Sequence, residues 1–309
     1  MRFYTRRAVP SPGNRVHRRA RVARSTPGRE TLPVPELPEV ETIRRQVEGD
    51  LVGRRIVAAW GFDSPKFSDA PLATGLGVSS LGRRGKYLLA RLDPHCGAPK
   101  ELVLHLGMTG RLAVTRRRPG VECPSGARPD HLRAWFGLDD GRYLGFWDQR
   151  RFGRLVVVPL GDHHRLPTLA ALGPEPLSEE FTPEGLRRAL GGRKALKTAL
   201  LDQRAVAGVG NIYADEALWL AGISPMARRL GPQRADALHA AIVAVLLDAL
   251  ADGGTTLRDY RDAGGEPGGH QFRLNCYGRG GRPCGRCGRA LSHRVLDGRG
   301  TTWCRSCQR

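Results

Sequence analysis

The sequence predicts an α+β multidomain protein: an N-terminal helix leading into a β-sandwich, then a helical domain, then a cysteine-bearing β-hairpin. Three observations predict it. Short apolar or alternating runs separated by turn residues fill 56–160, the apolar period returns to that of a helix between 186 and 251, and two Cys-x2-Cys pairs close the chain. At 309 residues there is enough chain for about two domains, each burying its own core.

Residues 1–34 carry nine arginines against one acid, Glu30, among Pro, Gly and Ser. That composition cannot build an apolar core and offers no signal-peptide stretch, so an Arg-rich disordered or non-native extension is expected. A helix follows over 35–50, entered through Pro38, with Val40, Ile43, Val47 and Leu51 on one stripe and Glu39 and Glu41 near its positive end. The domain 35–160 then shows runs such as 87–92, 102–106, 134–138, 143–147 and 155–158, parted by turns such as Asp139-Asp140-Gly141, which is the pattern of a β-sandwich. Residues 161–183, rich in proline and glycine around 172–177, read as a linker. In 184–264 helical stretches are expected at 186–190, 195–203, 212–220 and 235–251, the last with Leu238, Ile242, Val245, Leu246 and Leu250 on one face and a stop at Gly253-Gly254. Residues 265–309 hold a loop and the cysteine hairpin, and no repeat of solenoid period occurs.

The formal charge of +20 makes a polyanion the first partner to consider, because neutralising phosphates releases condensed counterions. Removing the arm still leaves a basic chain. No run approaches the ~18 apolar residues of a membrane span, and the most apolar stretch, 240–251, is interrupted by Asp248. Seven cysteines, an odd count in a chain without a secretory signal and expected to be cytosolic, argue against a complete disulfide framework.

Cys284-x2-Cys287, sixteen residues, then Cys304-x2-Cys307 is the spacing of a four-thiolate zinc ribbon. Four thiolates leave no position for water or substrate, so one structural Zn2+ is expected. Between the pairs, Asp297-Gly298-Arg299-Gly300 is a turn that would hold Arg299 at a hairpin tip, suited to phosphate contact, although a solvated turn arginine looks the same. The glycines of 208–213 leave backbone N–H groups at a helix start, where either an anion or a plain helical corner fits. The segments 105–110 and 148–153 place basic and large apolar residues in loops after strands. Burial is the ordinary fate of Met108 and Phe152, but in a DNA-binding protein such residues can fill the gap left by an extruded base.

At Pro35-Glu-Leu-Pro-Glu-Val-Glu-Thr42 the sequence resembles the opening of the bacterial formamidopyrimidine-DNA glycosylase family. Further segments similar to that family follow in order: 83–89, 105–110, 148–153, 172–178, 209–216, 253–256 and the cysteine ribbon, so that the similarity spans 35–309. The resemblance implies a sandwich, a helix-two-turns-helix domain and a zinc finger, with damaged double-stranded DNA in the cleft between the halves. It implies a bifunctional glycosylase and AP lyase of base excision repair, removing 8-oxoguanine and formamidopyrimidines, in a monomer of the bacterial cytoplasm associated with the nucleoid. Pro35 would attack C1′ and form an imine, Glu36 would serve as acid and base, and Lys86 would stand at the scissile phosphates. Met108, Arg150 and Phe152 would fill the vacated stack, Arg150 facing the orphaned cytosine, while His105, Arg151, Lys197, Asn211 and Arg299 would hold phosphates or lie near the lesion. Two readings compete: an endonuclease VIII-like enzyme for oxidised pyrimidines, and a catalytically silent binder of damaged DNA if Pro35 is not exposed.

The chain departs from the pattern in three places. Gln149 stands where proline is common, and Gly269-His270 stand where the loop expected to cover the extruded base often carries an aromatic residue. The arm is the third: behind it the nitrogen of Pro35 is an amide, without nucleophilicity. Since GTG encodes valine and also serves as a bacterial start, the expectation is that translation begins at residue 34, read as methionine and removed to free Pro35.

Overall fold

The computed structural model describes residues 34–121, 123–124 and 127–309, so the expected extension at 1–34 lies, save for Val34, outside the described residues. The first helix, α1 (Leu37–Leu51), starts two residues later than expected, because Glu36 takes the N-cap position with extended backbone. Its residues divide between two cores. Leu37 packs with the helical half, whereas Val40, Ile43, Val47 and Leu51 pack into the sandwich. Residues 35 and 36 are thereby fixed at the junction.

Eight strands form the sandwich: β1 (Ile56–Gly61), β2 (Gly77–Arg84), β3 (Tyr87–Asp93), β4 (Lys100–His105), β5 (Gly110–Thr115), β6 (Leu132–Leu138), β7 (Tyr143–Asp148) and β8 (Arg154–Pro159). They make two four-stranded sheets, ordered β1-β6-β7-β5 and β2-β3-β4-β8, with antiparallel neighbours throughout. The two-residue alternation decides which side chains meet. Register places Leu88 beside Leu104 and Leu104 beside Leu155, all facing Leu112, Phe136, Leu144 and Phe146 of the other sheet in one core. The outer face of the second sheet is covered too. Val103 and Val156 meet Leu166 and Leu169 around the short helix α2 (Pro167–Ala170), so residues expected as a linker contribute packing.

The helical half comprises α3 (Pro183–Leu190), α4 (Leu196–Leu201), α5 (Asn211–Leu220) and α6 (Pro232–Ala251). Thr182 caps α3 by accepting from Gly185 N at 3.1 Å, ahead of Pro183 at the first helical position. Leu186, Leu200, Leu218, Leu238 and Leu246 share its core. The chain ends in the hairpin of β9 (Ser292–Leu296) and β10 (Arg299–Trp303), where Leu296 pairs with Arg299. Its two-residue turn needs positive φ at both positions, and Asp297 (46°) and Gly298 (77°) supply it. No helix among the described residues is long and apolar enough to cross a membrane.

Candidate active site

The amides that open α5 meet an anion, and it is the chain's own Glu36. Its carboxylate accepts from Gly210 N (2.6 Å), Ile212 N (2.8 Å) and Tyr213 N (3.4 Å). A side chain at position 210 could not coexist with this arrangement, since a Cβ there would lie 2.3 Å from the Glu36 carboxyl carbon. Glu36 is only 1% exposed. Burial raises its proton affinity, Lys86 and the amides oppose this, Glu39 adds to it, and the balance stands at about 7 against an ordinary 4.5.

Glu39, which sequence reasoning did not single out as a site residue, holds this corner together. It accepts from Glu36 N (2.8 Å), Thr255 N (2.7 Å) and the Tyr213 hydroxyl (2.6 Å), and that hydroxyl also lies 2.9 Å from Thr255 Oγ1. Burial raises the Glu39 carboxyl above its usual range, and burial with the Glu39 charge raises the Tyr213 phenol. The Glu36-x-x-Glu39 spacing, that of an N-cap and the residue three places on, was the available signal.

Lys86 occupies the two-residue turn joining β2 to β3, where Gly85 has φ +57°. Glu175 stiffens that turn by accepting from Gly85 N (2.6 Å) and pairing with Arg83 (2.7 Å) and Arg84 (3.1 Å). Burial lowers the Lys86 ammonium below its usual range, with Arg299 acting the same way and Glu36 and Glu39 opposing. Thus the hairpin-tip arginine, the lysine and both carboxyls share one electrostatic neighbourhood.

Beside them runs a cleft lined by Pro35, Met108, Ile212, Thr255, Leu257 and Tyr260, among others. The loop that supplies Leu257 and Tyr260 to this lining is tied to the sandwich half: Arg111 donates to Asp259 O (3.1 Å), and Gln46 both donates to Asp262 (2.6 Å) and accepts from Ala263 N (2.8 Å). The departure at 269–270 has a structural job. His270 is buried, pairs with Asp252 at 2.8 Å, and is held in place by its backbone N–H donating to Gly254 O.

The segments 105–110 and 148–153 lie against each other. At Gly107 (φ +65°) a Cβ would come within 2.4 Å of Gly153 N. Asp148 shapes the second segment by accepting from Thr109 Oγ1 (2.5 Å), Arg150 N (3.2 Å) and Gly153 N (2.6 Å). Arg151 takes a positive φ of 57°, and Phe152 is left 50% exposed with the Arg150 guanidinium 4.8 Å from its ring centroid. His105 lies with its ring tilted against that of Tyr87, centroids 4.6 Å apart, and accepts from Gly107 N. Burial, then Lys86 and Arg154, push its imidazole down to about 4, so it is neutral at pH 7.

Lys197 points inward. It is 1% exposed, and its ammonium pairs with Asp215 (2.7 Å) and donates to Gly300 O (2.8 Å) and Thr301 Oγ1 (2.9 Å). Burial raises Asp215 to about 6 despite this partner, and its other oxygen accepts from Thr302 N. Asn211 donates to the same Gly300 O at 3.2 Å. Glu216 accepts from the N–H groups of Asn275, Cys276 and Tyr277.

The ligand atoms of Cys284, Cys287, Cys304 and Cys307 all lie within 4.8 Å of one another, Cys287 and Cys304 at 3.5 Å. Thiolates arranged tetrahedrally at about 2.3 Å from one ion stand roughly 3.8 Å apart, so these four could hold a metal ion.

Comparison with known proteins gives the same picture along the chain. The model of the formamidopyrimidine-DNA glycosylase N-terminal domain matches residues 34–155, and that of the same family's H2TH domain matches residues 172–261. A formamidopyrimidine-DNA glycosylase of Chloroflexus aggregans is 44% identical, covering 89% of this chain and 98% of that protein. The crystal structure of the MutM (Fpg) protein of Thermus thermophilus superposes with a TM-score of 0.79 at 45% identity, over 89% of this chain and 98% of that one. The Lactococcus lactis Fpg in complex with DNA containing an abasic site superposes with a TM-score of 0.76 at 33% identity, over 89% and 99%. The chain belongs to the formamidopyrimidine-DNA glycosylase family.

Proposed function

We propose that this protein is a bifunctional DNA glycosylase and AP lyase that excises 8-oxoguanine and formamidopyrimidines from duplex DNA through an imine with Pro35. The observation that carries the reading is the buried carboxyl of Glu36, adjacent to Pro35 in the chain and poised at about 7. Such a group can give and regain a proton at neutral pH, which an exposed glutamate cannot do efficiently.

The Pro35 lone pair bonds to C1′ as the glycosidic bond breaks, and the base departs with the electrons of that bond and takes up the proton that the Pro35 nitrogen then gives up. The sugar ring then opens, O4′ taking a proton from Glu36, and the nitrogen becomes a cationic iminium. That cation withdraws electrons from C2′, a C2′ proton is lost, and the 3′ phosphate leaves, followed in a second elimination by the 5′ phosphate. Hydrolysis of the imine frees the amine. Lys86 and Arg299 stabilise the phosphate charges. Met108, Arg150 and Phe152 fill the vacated stack, Arg150 facing the orphaned cytosine, while His105, Arg151 and Asn211 hold the DNA at the cleft. Lys197 acts through the hairpin it braces. The four cysteines hold one structural Zn2+ that fixes that hairpin.

The chemistry requires a free amine, and an α-amino group near 8 is appreciably neutral at pH 7 whereas a lysine near 10.4 is not. The reading therefore includes a mature polypeptide beginning at Pro35. The family's N-terminal domain match, which starts at residue 34, supports this. The test is borohydride trapping on a duplex with 8-oxoguanine opposite cytosine, using a chain that begins at Pro35, with thymine glycol as the competing substrate. Covalent DNA on the Pro35 nitrogen is expected. Absence of the adduct, a preference for thymine glycol, or full activity with residues 1–34 retained would overturn the proposal.

A further inference from the structure

The C-terminal end of α5 abuts the cysteine cluster. Trp219 is 6% exposed and shares one apolar cluster with Cys276, Cys284, Leu291 and Cys304. Arg286, between the first two cysteines, lies 4.2 Å from the ring centroid and donates to Trp219 O (2.9 Å) and Leu220 O (2.8 Å). The indole is therefore pinned by the knuckle it supports. Its Nε1–H is buried with no hydrogen-bond partner among the described residues, and Cys284 belongs to the same apolar cluster that encloses the ring.

A buried donor left unpaired is costly, and native structures rarely keep one without a purpose. A metal-bound thiolate is a charged acceptor that would satisfy it. We infer that Trp219 donates its indole N–H to the Cys284 thiolate of the metal centre, making it an outer partner that orients this ligand and joins the zinc hairpin to α5. The inference rests on reading the four cysteines as a zinc site. Groups that donate to metal ligands govern ligand orientation and affinity, and their loss typically weakens binding by roughly ten- to a hundredfold.

Trp219→Phe separates donation from packing, because phenylalanine keeps an aromatic ring under Arg286 and removes only the N–H and part of the volume. Competition against a chromophoric chelator should show zinc bound at least about tenfold more weakly by the variant. The parent protein loaded with 113Cd supplies a measurement independent of any substitution. The Trp219 indole proton, assigned by comparison with the variant, should show scalar coupling to cadmium transmitted through the sulfur. Equal zinc affinity in Trp219→Phe, or an indole proton without coupling, overturns the inference and leaves the zinc reading intact. Failure of the parent chain to take up zinc or cadmium at the four cysteines overturns both.

Discussion

Replacing Glu36 by glutamine removes a carboxyl that the fold holds at about 7 instead of 4.5. At 1.36 kcal/mol for each step of one, that gap corresponds to about 3 kcal/mol. The sign follows from proton binding: between 4.5 and about 7 the unfolded chain has released the Glu36 proton while the folded protein retains it, so stability falls as pH rises through this window and levels off above it. The glutamine variant has no such dependence. It carries a pH-independent cost instead, because its amide cannot accept from both Gly210 N and Ile212 N as the carboxylate does, and an unpaired buried N–H costs about 1–3 kcal/mol. The informative quantity is therefore the change with pH in the stability difference, not its absolute size. Urea unfolding of both proteins with zinc present should show the parent's advantage shrinking by about 3 kcal/mol between pH 4.5 and pH 8. A difference constant to within about 1 kcal/mol over that range would show that Glu36 is not held in its protonated form, and the acid role would go with it.

Three other perturbations address separate parts of the site. Pro35→Gly in a chain beginning at residue 35 should lose much of its base excision, read as single-turnover release of 8-oxoguanine. Cys287→Ser should lose zinc, hairpin order and DNA affinity together, by metal analysis and binding titration; DNA bound as tightly as by the parent would remove the hairpin from the DNA site. Lys197→Met strands the buried Asp215 carboxylate and should cost about 3–5 kcal/mol, much of it recovered by adding Asp215→Leu. Because the ammonium faces inward, the slope of DNA affinity against salt should be unchanged in that double variant, and a slope shallower by about one would mean that Lys197 touches phosphate after all.

Much of the architecture was readable because period and punctuation agree. The stripe of α1, the alternation through the sandwich and the cysteine spacing each follow from one local rule, and boundaries moved by only a few residues. What local rules could not show was where polar groups point. The glycines at 208 and 210 marked helix-start amides correctly, yet an amide cluster does not reveal whether phosphate or an internal carboxylate fills it; the occupant, Glu36, is 174 residues away from Gly210. For Lys197 the family resemblance implied a place at a phosphate or near the lesion, and nothing in the sequence signalled its internal partners. Its partners Asp215 and Gly300 come from two other elements, and only the docking of the hairpin on α5 brings them together. Glu39 was seen merely as a favourable charge near a helix start. Its second service, to Thr255 at the entrance to the cleft loop, depends on a contact across 216 residues.

Helix α5 gives these distant contacts a common logic. Its first amides hold Glu36, and a turn later Asp215 receives Lys197 and the β10 amide of Thr302. The next residue, Glu216, binds three successive amides leading into the cysteine hairpin, and Trp219 completes the series at Cys284. A ten-residue helix is short and stiff, so the carboxyl at its start and the hairpin at its side cannot shift independently by more than the give of these bonds. Such geometry accounts for Arg299, on a hairpin otherwise remote in sequence, acting on Lys86 within the same electrostatic neighbourhood as Glu36. It also explains why a closed thiolate site belongs in this enzyme at all. A hairpin with so small a core cannot hold its own tip still, so Arg299 keeps its place only because the base of its hairpin is fixed to the helix whose first amides hold Glu36.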